Sequence, residues 1–197
     1  MNAPRRRVLL GTAAALMLLA ACTPEGPKFK SSDITGSAFG RELALNDHTG
    51  KPRTLADYRG KAVVVFFGYT QCPDFCPTTL SELAEVMKRL GPDADRVQVL
   101  FVTVDPRRDT PELLGQYVPA FDPSFLGLWG DAGATAKAAK DFNIYFQDRP
   151  GKDAASYTVD HTAQSFVIDK EGRLRLVWPY GIEVAQMAGD LKVLLNS

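Results

Sequence analysis

At 197 residues with 45% hydrophobic content, the chain is long enough for one globular domain with an ordinary apolar core. Its 23 lysine and arginine residues balance 23 aspartate and glutamate residues, so the formal net charge is zero. Such a chain lacks the basic excess that nucleic-acid-binding domains use to neutralise phosphates. We therefore expect no nucleic acid among its partners.

The amino terminus has the pattern of an export signal. Three consecutive arginines, Arg5 to Arg7, precede an apolar run of 14 residues (8–21), which is short for a helix that spans a bilayer. The run ends in Leu-Ala-Ala-Cys (19–22), which is similar to the lipobox of bacterial lipoproteins, whose cysteine is lipidated after cleavage. We expect residues 1–21 to be a lipoprotein signal peptide and Cys22 to be the lipidation site. A plain signal anchor and a twin-arginine export signal are the alternatives.

Residues 22–37 are polar and contain Pro24, Gly26 and Gly36, a composition typical of a flexible tether. About 15 residues of flexible chain span on the order of 20 Å, so the tether would hold a domain close to a membrane. We expect residues 38–197 to form that domain, lipid-anchored on the periplasmic side of a bacterial membrane, whether inner or outer.

Beyond the tether, strand patterns alternate with helix patterns. Residues 63–67, Val-Val-Val-Phe-Phe, form an unbroken apolar run typical of a strand buried on both faces of an α/β sheet. Apolar residues then recur at helical spacing from Leu80 to Leu90, with Pro77 at the predicted first helical position and Gly91 at the C-cap. The other predicted elements are an entry hairpin (39–60), a strand (97–104), a helix started by Thr110 and Pro111 and ended by Pro119, a helix (131–142), two strands (144–146 and 156–159), a hairpin (165–169 and 173–178) and a helix (183–195).

Two cysteines, Cys72 and Cys76, lie at the turn between the first core strand and the following helix. A thiol near a helix N-terminus is close to unpaired N–H groups and the positive end of the helix dipole, which favours the thiolate. The thiolate is both a nucleophile and a metal ligand. A structural disulfide is the alternative, but a bridge that closes so small a loop constrains the unfolded chain little. With Cys22 lipidated, this pair would hold the only free thiols, as in a working dithiol.

The chain has only two histidines. His48 lies in a turn beside Asp47 and Gly50, and we expect it to be a solvated loop residue. His161 precedes the strand predicted at residues 165–169, and a histidine merely hydrogen-bonded at the end of a strand is the alternative reading. Two thiolates and one imidazole suit copper, because thiolates favour Cu(I) and a nitrogen ligand extends the site to Cu(II). A structural zinc site would normally need a fourth ligand.

A βαβ half followed by a ββα half, with a dithiol after the first core strand, resembles the thioredoxin fold. This resemblance implies an α/β domain with a central mixed sheet flanked by helices and an N-terminal β-hairpin. In thioredoxin-like proteins the loop before the strand that corresponds to residues 165–169 faces the cysteine turn and usually carries a cis-proline. Here that loop carries His161 instead.

Three segments resemble the Sco/SenC family: residues 66–79, 104–112 and 159–162. Residues 126–130 are similar to a further family segment. Members of this family are membrane-tethered thioredoxin-fold proteins that bind copper and assist assembly of the binuclear copper centre of cytochrome c oxidase. Many of them have a transmembrane helix, where this chain has the lipobox pattern.

The resemblance implies specific site residues, namely the copper ligands Cys72, Cys76 and His161. It also places Asp105 and Asp109 in an acidic segment near the metal, although Asp109 could equally be a charge at the start of a helix. The implied function is a metallochaperone that carries Cu(I) or Cu(II) to the copper-bearing subunit of cytochrome c oxidase. Other periplasmic copper chaperones or thiol reductases would be further partners.

A second function remains open, that of a periplasmic thiol–disulfide oxidoreductase in which Cys72 and Cys76 form the redox dithiol. The two functions do not exclude each other, because one dithiol can bind copper and also reduce a partner's cysteines. Oxidoreductases of this fold prefer Cys-x-x-Cys and the cis-proline, both of which are missing here. A peroxiredoxin-like peroxidase ranks last, because it usually sets its reactive cysteine in a Thr-x-x-Cys context.

Overall fold

The computed structural model describes residues 28–152 and 156–197. Within these ranges, none of the helices has the length and apolar character needed to cross a membrane. The strands and helices, in chain order, are β1 (Ser32–Asp33), β2 (Ala44–Asp47), β3 (Pro52–Thr54), β4 (Ala62–Gly68), α1 (Phe75–Leu90), β5 (Val97–Thr103), α2 (Pro111–Tyr117), β6 (Leu126–Trp129), α3 (Ala132–Asp141), β7 (Phe146–Arg149), β8 (Thr158–His161), β9 (Ser165–Ile168), β10 (Leu174–Trp178) and α4 (Val184–Asn196).

Eight strands form one mixed sheet in the order β1-β10-β9-β4-β5-β6-β2-β3, whereas β7 and β8 pair only with each other. Strand β4 is parallel to β5 and antiparallel to β9, and β5 is parallel to β6. The unit β4-α1-β5 and the unit β9-β10-α4 therefore meet at the centre of the sheet. This arrangement confirms the predicted thioredoxin-like fold, including the N-terminal hairpin of β2 and β3.

Strand β4 is the centre of the hydrophobic core, and all seven of its residues are buried. Phe66 and Phe67 are fully buried, as are Phe101 on β5 and Phe166 on β9. Burying each of these rings contributes about 2–3 kcal/mol to folding. Because the core holds β4 and its neighbours rigidly, the loop that leaves the carboxyl end of β4 starts from a fixed position.

Most of the predicted elements are confirmed. Helix α2 begins after Thr110, whose hydroxyl accepts a hydrogen bond from the backbone N–H of Leu113 (3.3 Å), and it ends at Tyr117, before Pro119. The predicted helices at 131–142 and 183–195 correspond to α3 and α4, and the late hairpin corresponds to β9 and β10.

The start of α1 differs from the prediction. The helix begins at Phe75, so Pro77 is its third residue and not its first. A proline is tolerated there because the first four backbone N–H groups of a helix have no intrahelical acceptor. As a consequence, Cys76 belongs to the first turn of α1 and does not precede the helix.

Two further differences concern short strands. Strands β7 and β8 lie about two residues later than predicted, which makes His161 the last residue of β8. Strand β6 was not predicted, because Leu-Gly-Leu-Trp is short and contains a glycine. Gly127 lets α2 pack closely on β6: a Cβ at this position would lie 3.0 Å from Leu114 Cβ and 3.2 Å from Val118 Cγ2, so the neighbouring side chains would have to shift.

The carboxy-terminal part of the predicted tether packs on the domain. The buried carboxylate of Asp190 on α4 accepts hydrogen bonds from the backbone N–H groups of Lys30 (2.7 Å) and Ser31 (3.2 Å). Strand β1 pairs with β10. These backbone interactions are independent of the polar side chains that suggested flexibility, and they correct the tether prediction for residues 28–37. The predicted signal peptide, Cys22 and the start of the tether lie outside the described residues.

Candidate metal centre

The three predicted ligands come from three different parts of the fold. Cys72 lies in the loop after β4, Cys76 in the first turn of α1, and His161 at the end of β8. The ligand atoms of these three side chains all lie within 4.8 Å of one another. Cys76 Sγ is 3.5 Å from His161 Nε2. In the described part of the chain, no other three cysteine, histidine or acidic side chains converge in this way.

Both thiols are free, and they differ in exposure. Cys76 is completely buried, Cys72 retains 6% of its surface, and His161 is half-buried. The cluster therefore opens to solvent on the side of Cys72 and His161, while Cys76 forms its floor.

A hydrogen bond couples the two thiols. A hydrogen bond from the Cys76 thiol lowers the pKa of Cys72 against the opposing effect of burial, and the backbone N–H groups of Asp74 and Cys76 lower it further. The same hydrogen bond, together with burial, raises the pKa of Cys76. These opposite shifts in pKa favour the thiolate on Cys72, the more accessible of the two cysteines.

Gly68, the last residue of β4, makes room for the buried thiol. A Cβ at this position would lie 2.8 Å from Cys76 Sγ and 2.9 Å from Phe101 Cε2. Real Cβ atoms do not approach other atoms so closely. Only glycine therefore allows Cys76 to sit directly against the end of the central strand.

The imidazole of His161 is oriented by its other ring nitrogen. Nδ1 lies 3.1 Å from the backbone carbonyl oxygen of Thr162. Because a carbonyl oxygen can only accept, Nδ1 carries the proton and Nε2 presents its lone pair to the two sulfur atoms. Edge contacts with Phe66, Tyr69 and Phe75, at centroid separations of 5.7–6.4 Å, restrict the ring further.

Asp109 is buried and lies behind the loop that carries Cys72. Its carboxylate accepts hydrogen bonds from the hydroxyl of Thr103 (2.6 Å) and from the hydroxyl (2.5 Å) and backbone N–H (3.0 Å) of Thr70. Burial raises its pKa, and these hydrogen bonds oppose the shift. Because Thr110 caps α2, Asp109 is an anchor for the start of the cysteine loop and not a charge at the start of a helix.

Asp105 is also buried, but it faces a different neighbour. Its carboxylate accepts hydrogen bonds from the hydroxyl of Tyr157 (2.8 Å) and from Nε of Arg108. Neither Asp105 nor Asp109 belongs to the cluster of ligand atoms. Both hold the segments from which the ligands project.

His48 differs from its prediction as a solvated loop residue. It is half-buried, and its Nδ1 accepts a hydrogen bond from the backbone N–H of Gly127 (3.2 Å). Its own backbone N–H donates to the carbonyl of Gly127 (2.9 Å). The sequence pattern showed only the turn, whereas these contacts join the hairpin of β2 and β3 to β6.

Several residues around the cluster were not predicted. Tyr69 lies three residues before Cys72 and Phe75 directly before Cys76, so their place in the segment 66–79 was a usable signal. Tyr180 stacks edge-on against Phe75 (5.7 Å) and is 47% exposed, but it follows β10 with no local signal that links it to the site. Arg108 lies in the segment 104–112, where only the two aspartates drew attention.

The donor set suits copper. Two sulfur ligands and one imidazole nitrogen form a soft site that fits Cu(I), and the nitrogen also suits Cu(II). Three ligands leave a position open for a further group, in contrast to the four-ligand closure of structural zinc sites.

The SCO1/SenC family profile matches residues 31–196. The mouse mitochondrial protein SCO2 homolog is 38% identical over 133 residues, which are 66% of this chain and 52% of the mouse protein. The chain therefore spans about half the length of the mitochondrial SCO2 relatives. The SCO2-like protein RP587 of Rickettsia prowazekii is 31% identical over 169 residues, covering 84% of this chain and 82% of that protein.

Solved structures agree with the profile. Bradyrhizobium japonicum ScoI with copper bound is 41% identical, with a TM-score of 0.74 over 80% of this chain and 99% of the other. Apo Sco1 from Thermus thermophilus is 40% identical, with a TM-score of 0.76 over 85% and 97%. Because the profile spans the folded domain and these relatives share its fold over nearly their whole length, this chain belongs to the SCO1/SenC family.

Proposed function

We propose that this protein binds copper through Cys72, Cys76 and His161 and delivers it to the copper-bearing subunit of cytochrome c oxidase. The observation that carries the proposal is the convergence of two free thiols and one oriented imidazole within 4.8 Å. Family membership supports it, because a relative at 41% identity, ScoI of Bradyrhizobium japonicum, has been solved with copper bound.

The geometry suggests an order of events for the copper ion, which is the cargo. The thiolate of Cys72 is at the accessible side of the cluster and meets the ion first. Cys76 then loses its proton, since metal ligation requires the thiolate, and that proton is released to solvent. His161 supplies the third ligand through Nε2. A partner's ligand can enter at the open position, so transfer proceeds by replacing one ligand at a time.

We also propose that residues 1–21 are a lipoprotein signal peptide and that lipidated Cys22 anchors the protein on the periplasmic side of the membrane. Residues 22–27 would connect that anchor to the segment that packs on the domain through Lys30, Ser31 and β1. Six extended residues reach at most about 20 Å. The copper site would therefore work close to the membrane surface, where an integral membrane oxidase and other periplasmic copper chaperones are accessible.

A second function, thiol–disulfide exchange, is favoured by the lowered pKa of Cys72 beside a second free thiol. The Cys72 thiolate attacks a partner's disulfide, forming a mixed disulfide and releasing one partner thiolate. Cys76, once deprotonated, attacks Cys72 Sγ, which releases the second partner thiolate and leaves a Cys72–Cys76 disulfide. Two electrons pass to the partner, and a periplasmic thiol reductase would restore the dithiol.

Metal analysis of the reduced protein tests the primary proposal. We expect one copper ion per chain, with thiolate-to-Cu(II) absorption in the oxidised-metal form. Cys72→Ser and Cys76→Ser should each lose that absorption while remaining folded by circular dichroism. If the reduced wild type binds no copper but still reduces a small disulfide, thiol–disulfide exchange becomes the leading function.

A further inference from the structure

Arg108 connects the loop that carries Cys72 with the segment that leads to His161. Its side chain is only 14% exposed. Nη1 donates to the side-chain oxygen of Gln71 (3.2 Å), which directly precedes Cys72, and to the backbone carbonyl of Tyr157 (2.8 Å), directly before β8. One guanidinium group thus contacts both ligand-bearing segments.

This connection matters because β8 does not belong to the main sheet. Strands β7 and β8 pair only with each other, whereas the loop with Cys72 extends from β4 at the centre of the eight-stranded sheet. In the part of the chain that the structure describes, no backbone ladder joins β8 to the cysteine loop. Side-chain contacts join them instead, among them those of Arg108 and the ring contact of Tyr69 with His161.

The guanidinium group is itself held in place on two sides. Its central carbon lies 3.5 Å from the ring centroid of Tyr157, a stacking distance, and its Nε donates to the carboxylate of Asp105. The Tyr157 hydroxyl donates to the same carboxylate (2.8 Å), and the Asp105 side chain is fully buried. Arg108, Asp105 and Tyr157 therefore form a closed set of contacts. A planar group with several fixed donors is needed to make all of them, and lysine cannot replace it.

We propose that Arg108 is a positioning residue of the metal centre, which sets the separation between Cys72 and His161. This inference rests on the proposed copper site. Two thiolates hold Cu(I) without the imidazole, but Cu(II) depends on the nitrogen ligand. Loss of Arg108 should therefore weaken Cu(II) binding far more than Cu(I) binding. Changing the supporting contacts of metal ligands typically lowers metal affinity about 10- to 100-fold.

The first measurement uses the metal-free protein and does not depend on copper. The backbone N–H of Cys72 is bonded to Tyr69 O (3.2 Å), and that of Thr162 to Tyr145 O (3.0 Å), so hydrogen–deuterium exchange at these amides reports each ligand segment. We expect Arg108→Ala to raise both exchange rates at least about tenfold, in line with the loss of fixed ligand positions. Arg108→Lys should raise them nearly as much.

Arg89→Ala is the control, because it removes the same charge from a residue outside this set of contacts. Arg89 is 50% exposed and pairs with Glu85, one turn earlier on α1 (3.2 Å). This variant should leave exchange at Cys72 unchanged.

The second measurement is the electron paramagnetic resonance spectrum and affinity of the Cu(II) form, with Cu(I) affinity from competition with a chromophoric chelator. In Arg108→Ala we expect Cu(II) affinity to fall about 10- to 100-fold with an altered spectrum, and Cu(I) affinity to stay within about threefold. Unchanged exchange at both amides overturns the proposal. Faster exchange with an unchanged Cu(II) spectrum also overturns it, since Arg108 would then stabilise the loops without positioning the ligands.

Two outcomes are decided by separate measurements. If the wild type binds no copper, the proposed function fails, and exchange at Cys72 and Thr162 alone decides whether Arg108 sets their relative position. If Arg108→Ala does not fold, Gln71→Ala tests the proposal instead. The Gln71 side chain is exposed and accepts one of the hydrogen bonds by which Arg108 joins the two segments. Faster exchange at Cys72 in Gln71→Ala supports the proposal, and unchanged exchange overturns it.

Discussion

Cys76 Sγ lies 3.5 Å from His161 Nε2, although the two residues are 85 positions apart in the chain. The contact joins the first turn of α1 to the end of β8, so it exists only when the parallel core strand and the separate hairpin are both in place. Because Nδ1 is bonded to the carbonyl of Thr162, the histidine approaches the thiol with its metal-binding nitrogen. This orientation of the imidazole is the one that metal ligation requires, and packing alone would not require it.

His161→Ala should separate the two candidate functions. We expect Cu(I) binding to persist, weakened, because two thiolates remain, while thiolate-to-Cu(II) absorption and oxidase assembly in cells are lost. Exchange with a small disulfide should change less, since it depends mainly on thiolate character and access at Cys72. Copper titration with optical spectra, alongside a thiol-exchange assay, measures both.

His48→Ala is the control for that experiment, because His48 is the only other histidine in the chain and lies outside the ligand cluster. It should keep the Cu(II) spectrum. Circular dichroism must show that both variants are folded. Intact Cu(II) binding in His161→Ala would make the histidine a packing residue and move thiol–disulfide exchange ahead.

Gly68→Ala should displace Cys76 and so disturb the metal site. The added Cβ would meet Cys76 Sγ at 2.8 Å, so the thiol or the helix start must shift. Overpacking of this kind costs about 1–3 kcal/mol of folding free energy, and we expect weaker copper binding in addition. Urea denaturation and copper competition measure the two effects.

Gly189→Ala is the matched control for Gly68→Ala. A Cβ at Gly189, inside α4, would meet no atom within 4 Å beyond its chain neighbours and the backbone of its own helix. That variant should be stabilised by about 0.5–1 kcal/mol, because alanine is the better helix former, with copper binding unchanged. If both alanine variants bind copper like the wild type, the close approach at Gly68 has no bearing on the site.

The features that sequence predicted well are those with strong local patterns. The unbroken apolar run of β4 predicted a buried strand. Thr110 and Pro111 predicted the start of α2. The two cysteines were singled out because a strand-to-helix turn brings thiols near a helix N-terminus, which is a local property. His161 was selected partly because the chain offers so few nitrogen ligands.

The features that sequence missed depend on partners distant in the chain. The segment from Lys30 to Asp33 is ordered by Asp190 and by the edge of β10, neither of which its own composition reveals. Strand β6 is too short to show the alternation of apolar and polar residues that indicates a strand, and Gly127 weakens the pattern further. Arg108 acquires its role only when Gln71 and Tyr157 lie on either side of it.

The redox state of the dithiol should control copper binding. A disulfide between Cys72 and Cys76 removes both thiolates, so we expect the oxidised protein to bind little copper until it is reduced. Copper titration of one preparation before and after treatment with a thiol reductant measures the difference. Equal, tight binding by the oxidised form would contradict the proposed ligand set.

The anchor is tested by Cys22→Ser. If Cys22 is lipidated, the wild type should fractionate with membranes and carry a lipid detectable by mass spectrometry, because a diacylated cysteine partitions into the bilayer. The variant should be unprocessed or released from the membrane. A wild-type protein that keeps its leader and carries no lipid would rule out the lipobox assignment.

The last prediction concerns acid stability and Asp47. Burial alone would raise the pKa of this carboxylate, but hydrogen bonds from Thr49, Arg53 and the backbone of Lys51 lower it to about 2, below its ordinary 3.8. The unfolded state therefore binds more protons between about pH 4 and pH 2, and stability falls as the pH falls through that range. The contribution, fully present above about pH 5, is about 2 kcal/mol.

Asp47→Asn should therefore be less stable than the wild type by about 2 kcal/mol at pH 7, with the gap closing as the pH approaches 2. Asp95→Asn is the control, because Asp95 is exposed, and its stability curve should run parallel to that of the wild type. Urea denaturation at intervals from pH 2 to pH 7 gives the three curves. A difference between Asp47→Asn and the wild type that stays constant over this range would mean that the asparagine disrupts the hairpin of β2 and β3 sterically, and that ionisation of Asp47 does not stabilise the fold.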